Sequence, residues 1–380
     1  MRKFWVWAAA AALLVQIPRG AAVELELSGK SAVLMDVATG TALYEHNAHE
    51  PLAPASVTKI MTMLLVMEAI DSGSLGWDDP VTASETAAAK GGSQIYLKAG
   101  EIMTVTDLLK SVAVSSANDA ACALAEHLRG SEGAFVEAMN EKARALGMED
   151  THFVNCTGLD DSPEAAQHKT SAWDIALMSR ELLKNHPDIR KFTTIWMDTI
   201  RDGAFGLSNT NKLIRFYPGA TGLKTGFTSG AGYCLSATAS RDGMELIAVV
   251  MGSDSAQNRN ASCKALLDYG FAGFALVQPV PEAEPRVTVK LGAEASVRAV
   301  PEETAALLIE KAKKNTVSTR LELLPEISAP VEQGQKLGTM TVLAGEEVLA
   351  QIPLVAAQPV ARLGWGNIWG MVLRRIAFGK

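Results

Sequence analysis

The chain is 380 residues long, 48% of them apolar and 20% charged, with a formal net charge of -7. That length allows more than one domain and that apolar share allows a large core, which excludes a disordered chain. No lysine- or arginine-rich block interrupts the main body, so the basic footprint of a nucleic-acid partner is missing.

The chain opens with Arg2 and Lys3 before an uncharged apolar stretch from Phe4 to Ile17, followed by Gly20-Ala21-Ala22. This three-part layout predicts a secretory signal peptide over residues 1–22, cleaved after Ala22. The stretch is short for a membrane span of ~20 residues.

Beyond it, Ala32 to Val37 and Thr41 to Tyr44 read as two strands turned at Thr39-Gly40. Helical patterns dominate from Ser56 to about Asn185, including Val105 to Leu128, Ala134 to Leu146 and Ser171 to Leu183. Strands return near the glycine-rich run that ends at Tyr233. There Tyr233 to Ala239 and Met244 to Met251 predict an antiparallel pair turned at Asp242-Gly243, and a helix from Asn258 to Tyr269 follows. Strands flanking a block of helices predict an α/β (α+β) domain, helices on an antiparallel sheet, over residues 23–278. Pro279 to Pro285 reads as a linker into a smaller β-rich domain ending near 357.

Residues 358–380 hold no acid but several basic residues, and Trp365, Ile368, Trp369, Val372, Leu373 and Ile376 recur at helical steps. That predicts an amphipathic helix lying on an anionic membrane surface. Four cysteines show no disulfide framework; Cys122 and Cys234 read as core fillers, and Cys156 and Cys263 stay undecided. His46 and His49 read as a surface pair, so no metal and no organic cofactor is expected.

The chemistry concentrates in three short motifs. In Ser56-Val57-Thr58-Lys59 the serine and lysine stand three apart, so on a helix the amine reaches the hydroxyl. A serine needs a base to become a nucleophile. Lysine can be that base when burial and nearby positive charge lower its pKa. Ser116-Ala117-Asn118 offers a hydroxyl and an amide on alternate residues, and Lys224-Thr225-Gly226 a cation and a hydroxyl at the start of the strand that turns hydrophobic at Tyr233. The cation and the hydroxyl are expected on one strand face, with the glycine admitting a substrate backbone. Each motif alone is weak; the three in this order are a strong signal.

The order S-x-x-K, S-x-N, K-T-G resembles the low-molecular-mass penicillin-binding proteins that are serine-type D-alanyl-D-alanine carboxypeptidases. Supporting phrases are P-L-A-P-A-S-V-T-K-I-M-T, S-S-A-N-D-A and D-T-H-F-V-N-C-T-G-L. The resemblance implies a penicillin-binding fold whose Ser56 attacks the carbonyl between two D-alanines, with Lys59 as general base. It implies that Ser116 relays a proton to the leaving nitrogen and that Asn118 binds the peptide amide and holds Lys59. Lys224, Thr225 and Arg259 are implied for the substrate carboxylate, Gly226 for backbone approach, and the N–H groups of Ser56 and Phe227 for the oxyanion. The implied partners are peptidoglycan stem peptides, β-lactams as covalent inhibitors and the membrane surface, with the enzyme exported to the outer face of the bacterial cytoplasmic membrane. Glu181 to Asn185 superficially matches the E-x-x-x-N of a β-lactamase, but it falls late in an amphipathic helix and reads as a surface acid.

Overall fold

The computed structural model describes residues 25–281, 284–303 and 306–364, with Gly366 and Ile376 beyond them. The chain divides into two units, one of Glu24–Gly273 and one that takes up the chain from Phe274. Phe274–Val277, assigned by sequence to the first domain, is a strand paired with Leu307–Glu310 and so belongs to the second unit. The expected signal peptide and almost all of the expected tail helix lie outside the described residues.

The first unit is built on a five-stranded antiparallel sheet. Its strands are β1 (Ser31–Asp36), β2 (Ala42–His46), β3 (Ala220–Thr228), β4 (Gly232–Arg241) and β5 (Met244–Ser253), in spatial order β2-β1-β5-β4-β3. β1 is buried along its whole length because both faces are covered. Val33 and Met35 belong to the core under the helical block, while the alternate Leu34 packs near Gly270 on the other face. The β4–β5 hairpin turns at Asp242 and Gly243, both with positive φ, as the Asp-Gly pair foretells.

The helical block holds α1 (Lys59–Asp71), α2 (Val105–Ser115), α3 (Asn118–Arg129), α4 (Glu132–Ala145) and α5 (Ala172–Asn185). α6 (Ala256–Gly273) covers the opposite face. α1 is buried continuously from Lys59 to Met67, which makes it the central helix of the core rather than an amphipathic surface one.

Two expectations change here. The helix foreseen from Val105 to Leu128 is broken in two, because Ser116 adopts a left-handed φ of 61° and caps α2. The K-T-G motif does not open the strand that includes Tyr233; it lies inside β3, a separate edge strand joined to β4 by a tight turn.

The second unit carries a six-stranded sheet of β6 (Arg286–Lys290), β7 (Ser296–Pro301), β8 (Val317–Leu323), β9 (Glu326–Ser328), β10 (Lys336–Ala344) and β11 (Glu347–Ala356). Its order is β8-β10-β11-β7-β6-β9. Alternation in β6 sends Val287 and Val289 inward to a core with Val297, Leu337, Met340 and Leu354. Among the described residues no helix is long and apolar enough to cross a membrane.

Candidate active site

The residues singled out by sequence converge where the edge strand β3 meets the start of α1. Before α1, Ala55–Thr58 forms a 3-10 turn that carries Ser56, and Ala55 has a φ of 49°, a conformation that costs a non-glycine residue energy. The surroundings hold it there. Thr58 Oγ1 donates to the Ala55 carbonyl at 2.8 Å. Val154 N–H donates to His168 Nδ1 at 3.2 Å, which leaves the ring proton on Nε2 to donate to Thr58 Oγ1 at 2.8 Å. Burial, with the nearby charges of His152, Lys169 and Lys59, lowers the His168 pKa to about 4, so this relay stays neutral. Gly158 lies against the same carbonyl; a Cβ there would sit 1.8 Å from Ala55 O.

One helical turn on, Lys59 is fully buried. Its Nζ is 2.8 Å from Ser56 Oγ and donates to Thr157 O at 2.8 Å. Burial lowers its pKa from 10.5 to about 7, against the opposing charges of Cys156 and Asp119. The Cys156 thiol is itself pushed well up, by its hydrogen bond with Cys122 and by burial, so at neutral pH only Asp119 opposes. That carboxylate accepts the N–H groups of Ile95, Leu97 and Ala120.

The break between α2 and α3 places the second motif. Ser116 is buried in its left-handed conformation and Asn118 opens α3. Asn118 was expected to hold Lys59. Its Nδ2 instead donates to Gly91 O at 2.7 Å, its buried Oδ1 has no partner among the described residues, and the Lys59 amine is held by Thr157. The free Oδ1 is an acceptor available to a substrate N–H.

On β3, Lys224 lies opposite Ser236, whose hydroxyl meets Ser179 of α5, so Lys224 points into the helical side. Thr225 lies opposite Leu235 and points to the other face. The expectation of one shared face is therefore corrected: consecutive residues on a strand alternate. The Thr225 hydroxyl donates to Thr210 Oγ1 at 2.7 Å, and Lys224 Nζ donates to Thr225 O at 2.8 Å. Burial and the neighbouring charges of Lys59 and Arg259 hold the Lys224 pKa well below its usual value.

Gly226 has a role closer to home than substrate approach. A Cβ there would lie 2.6 Å from Pro54 O and 3.1 Å from Ser56 N, so its absence lets β3 press against the turn bearing Ser56. Phe227 follows, with its ring exposed and stacked on Tyr233 at 4.3 Å. Arg259 of α6 is buried, with Nε and Nη2 donating to Asn260 Oδ1 and its guanidinium 5.8 Å from the Tyr233 ring.

Lys59, Lys224 and Arg259 are thus three buried bases, Lys224 in the field of the other two, and none forms an ion pair with a carboxylate among the described residues. An amine near its neutral form beside a hydroxyl can take that hydroxyl's proton.

Comparison with known proteins gives the family. Residues 18–255 match the family described as D-alanyl-D-alanine carboxypeptidase, and residues 280–362 match the penicillin-binding protein 5 C-terminal domain. The chain belongs to the D-alanyl-D-alanine carboxypeptidase family. It is 44% identical over 349 residues to the D-alanyl-D-alanine carboxypeptidase DacF of Bacillus subtilis, covering 90% of this chain and 88% of that one. Penicillin-binding protein 5 from Haemophilus influenzae superposes with a TM-score of 0.75 at 31% identity, over 90% of this chain and 99% of that one. The ampicillin-bound form of penicillin-binding protein D2 from Listeria monocytogenes gives 0.60 at 35%, over 66% and 100%.

In this carboxypeptidase fold the residues that sequence reasoning missed are those that hold the turn from a distance. Thr157, 98 positions after Lys59, supplies the carbonyl that fixes the amine. Its loop is pinned by Asn155, whose Oδ1 accepts the Thr157 and Gly158 N–H groups. The phrase N-C-T-G-L was the available signal, since Asn two residues before Thr-Gly is turn chemistry. Glu181 pairs with Lys142 and with Asn185 Nδ2, as a surface acid should.

Proposed function

We propose that this serine-type D-Ala-D-Ala carboxypeptidase removes the terminal D-alanine of peptidoglycan stem peptides through an acyl-enzyme on Ser56. The observation that carries the reading is the fully buried Lys59 amine, 2.8 Å from Ser56 Oγ with a pKa of about 7. A neutral Lys59 takes the hydroxyl proton as Oγ attacks the carbonyl. The developing oxyanion is received by the N–H groups of Ser56 and Phe227, donors typically worth ~3 kcal/mol each. Ser116 passes a proton to the leaving nitrogen, which departs as D-alanine, and water then releases the acyl group with Lys59 again as base.

The free outer edge of β3 offers backbone groups to an extended peptide laid beside it. The substrate carboxylate is met by the Thr225 hydroxyl, turned from Thr210, and by Lys224 and Arg259, and its amide by Asn118 Oδ1. β-Lactams present the same carbonyl and carboxylate, so they acylate Ser56 as well; the ampicillin-bound relative supports this. Export by the N-terminal segment and attachment through the basic amphipathic tail would put the enzyme on the outer face of the bacterial cytoplasmic membrane, facing its substrate.

Mass spectrometry after brief exposure to benzylpenicillin tests the assignment. The intact protein gains one penicilloyl group on the peptide containing Ser56, and Ser56→Ala gains none and releases no D-alanine. An adduct on another residue would overturn the nucleophile.

A further inference from the structure

A cavity of about 560 Å³ opens between the loop after Lys90 and the hairpin of Met197–Ile200 and Phe205–Ser208. Tyr96 and Phe205 form its aromatic walls, with Lys98, Glu101 and Arg201 around them. Tyr96 has a φ of 59° and is 69% exposed, an unusual combination for a large aromatic residue. The strain is imposed from below. The Asp119 carboxylate accepts the N–H groups of Ile95 and Leu97, the two neighbours of Tyr96, at 3.0 to 3.2 Å. Arg201 Nη1 donates to Ile95 O at 2.8 Å and Nε to Glu101 at 2.7 Å, while the guanidinium lies over the Phe205 ring.

The clamp is continuous with the active site. Asp119 directly follows Asn118, whose side chain and backbone hold Gly91 and Ser93 of the same loop, each at 2.7 Å. The hairpin leads within a few residues to Thr210, the partner of Thr225. An exposed aromatic residue whose backbone is clamped by Asp119, the neighbour of Asn118, is a ready contact surface whose ordering cost is largely met by folding. Lys98 and Arg201 against Glu101 leave the cavity one positive charge, which suits an anionic ligand.

We infer that the Tyr96–Phe205 cavity is a subsite for the stem peptide upstream of the reacting D-Ala-D-Ala, an extended peptide bearing carboxylates. The aliphatic parts of that peptide lie against the two rings and a carboxylate lies near Lys98. This rests on the reading of the enzyme as a stem-peptide carboxypeptidase and adds the element that reads the distal part of the substrate.

The test compares two substrates, Nα,Nε-diacetyl-Lys-D-Ala-D-Ala and the full pentapeptide L-Ala-γ-D-Glu-diaminopimelyl-D-Ala-D-Ala. In Tyr96→Ala and in Phe205→Ala the ratio of kcat/KM for the long over the short substrate falls roughly tenfold, the size of a lost aromatic anchor. Equal losses on both substrates would mean a merely structural role and overturn the subsite, as would an unchanged ratio. Calorimetry in the Ser56→Ala background keeps the test independent of turnover. There Tyr96→Ala weakens binding of the pentapeptide roughly tenfold, and an unchanged Kd overturns the proposal. Wild-type protein that released D-alanine from neither substrate would refute the catalytic reading, while the calorimetry would still decide the subsite.

Discussion

Two fully buried lysines of the first unit and two partly buried ones lie in two regions with opposite outcomes. Lys90 and Lys142 lie in the helical block beside acids: Lys90 meets Glu132 at 2.6 Å, and Lys142 bridges Glu68 and Glu181. Burial lowers both pKa values, but the hydrogen bonds and charges of the partners outweigh it and both end up raised. Lys59 and Lys224 sit at the cleft with carbonyl and hydroxyl partners and no acid in contact among the described residues, and both are lowered. Burial alone does not make a base. The cleft combines burial with the withholding of a counter-ion, whereas the helical block uses the same residue type as an ionic staple.

The contrast breaks most sharply at Lys59 itself. Lys59→Arg keeps the positive charge and cannot give up its proton, so acylation by benzylpenicillin falls by ~10³-fold or more in stopped-flow measurements. A loss below about tenfold would mean that no deprotonated amine is needed at this position.

Next comes Gly226, which lets the cleft close. Gly226→Ala puts a Cβ against Pro54 O and Ser56 N. Overpacking of this kind costs ~1–3 kcal/mol, to be seen as a lower denaturation midpoint together with slower acylation. On the other side of the comparison, Glu132→Gln removes the acid from the Lys90 staple and weakens an acceptor of the Cys156 N–H. It lowers stability by ~1–2 kcal/mol while acylation changes far less than in Lys59→Arg. A large acylation defect there would erase the division between the two regions.

The last consequence is the pH dependence of stability. Lys59 has a lower pKa folded than unfolded, so between about 7 and 10.5 the unfolded chain binds more protons. Stability from this group therefore rises with pH across that window, and the rise is missing from the difference curve against Lys59→Met.

The parts legible in the sequence are those whose partners are near along the chain. The Ser56–Lys59 contact follows from i, i+3 spacing, and the β4–β5 turn from Asp242-Gly243. What escaped depends on distant pairing. No local pattern shows that Ser116 would turn left-handed and split one apolar helix into two, because the periodicity runs on through it. Nor does it show that the Thr157 carbonyl, rather than Asn118, would hold the amine. Gly226 looked like room for a substrate and is room for the Pro54–Ser56 turn, a difference only the packing reveals. The opposite facing of Lys224 and Thr225 was legible, since strand period alone dictates it.

The central claim is that withholding an acid from a buried amine makes the engine of the reaction, and its direct test is the pH profile of benzylpenicillin acylation. Second-order rate constants measured from about pH 5 to about pH 9 should climb with a single proton-loss step near 7 and then level off, as deprotonation of Lys59 requires. A profile flat across that range, or one still climbing towards the ordinary lysine value of 10.5, would contradict it.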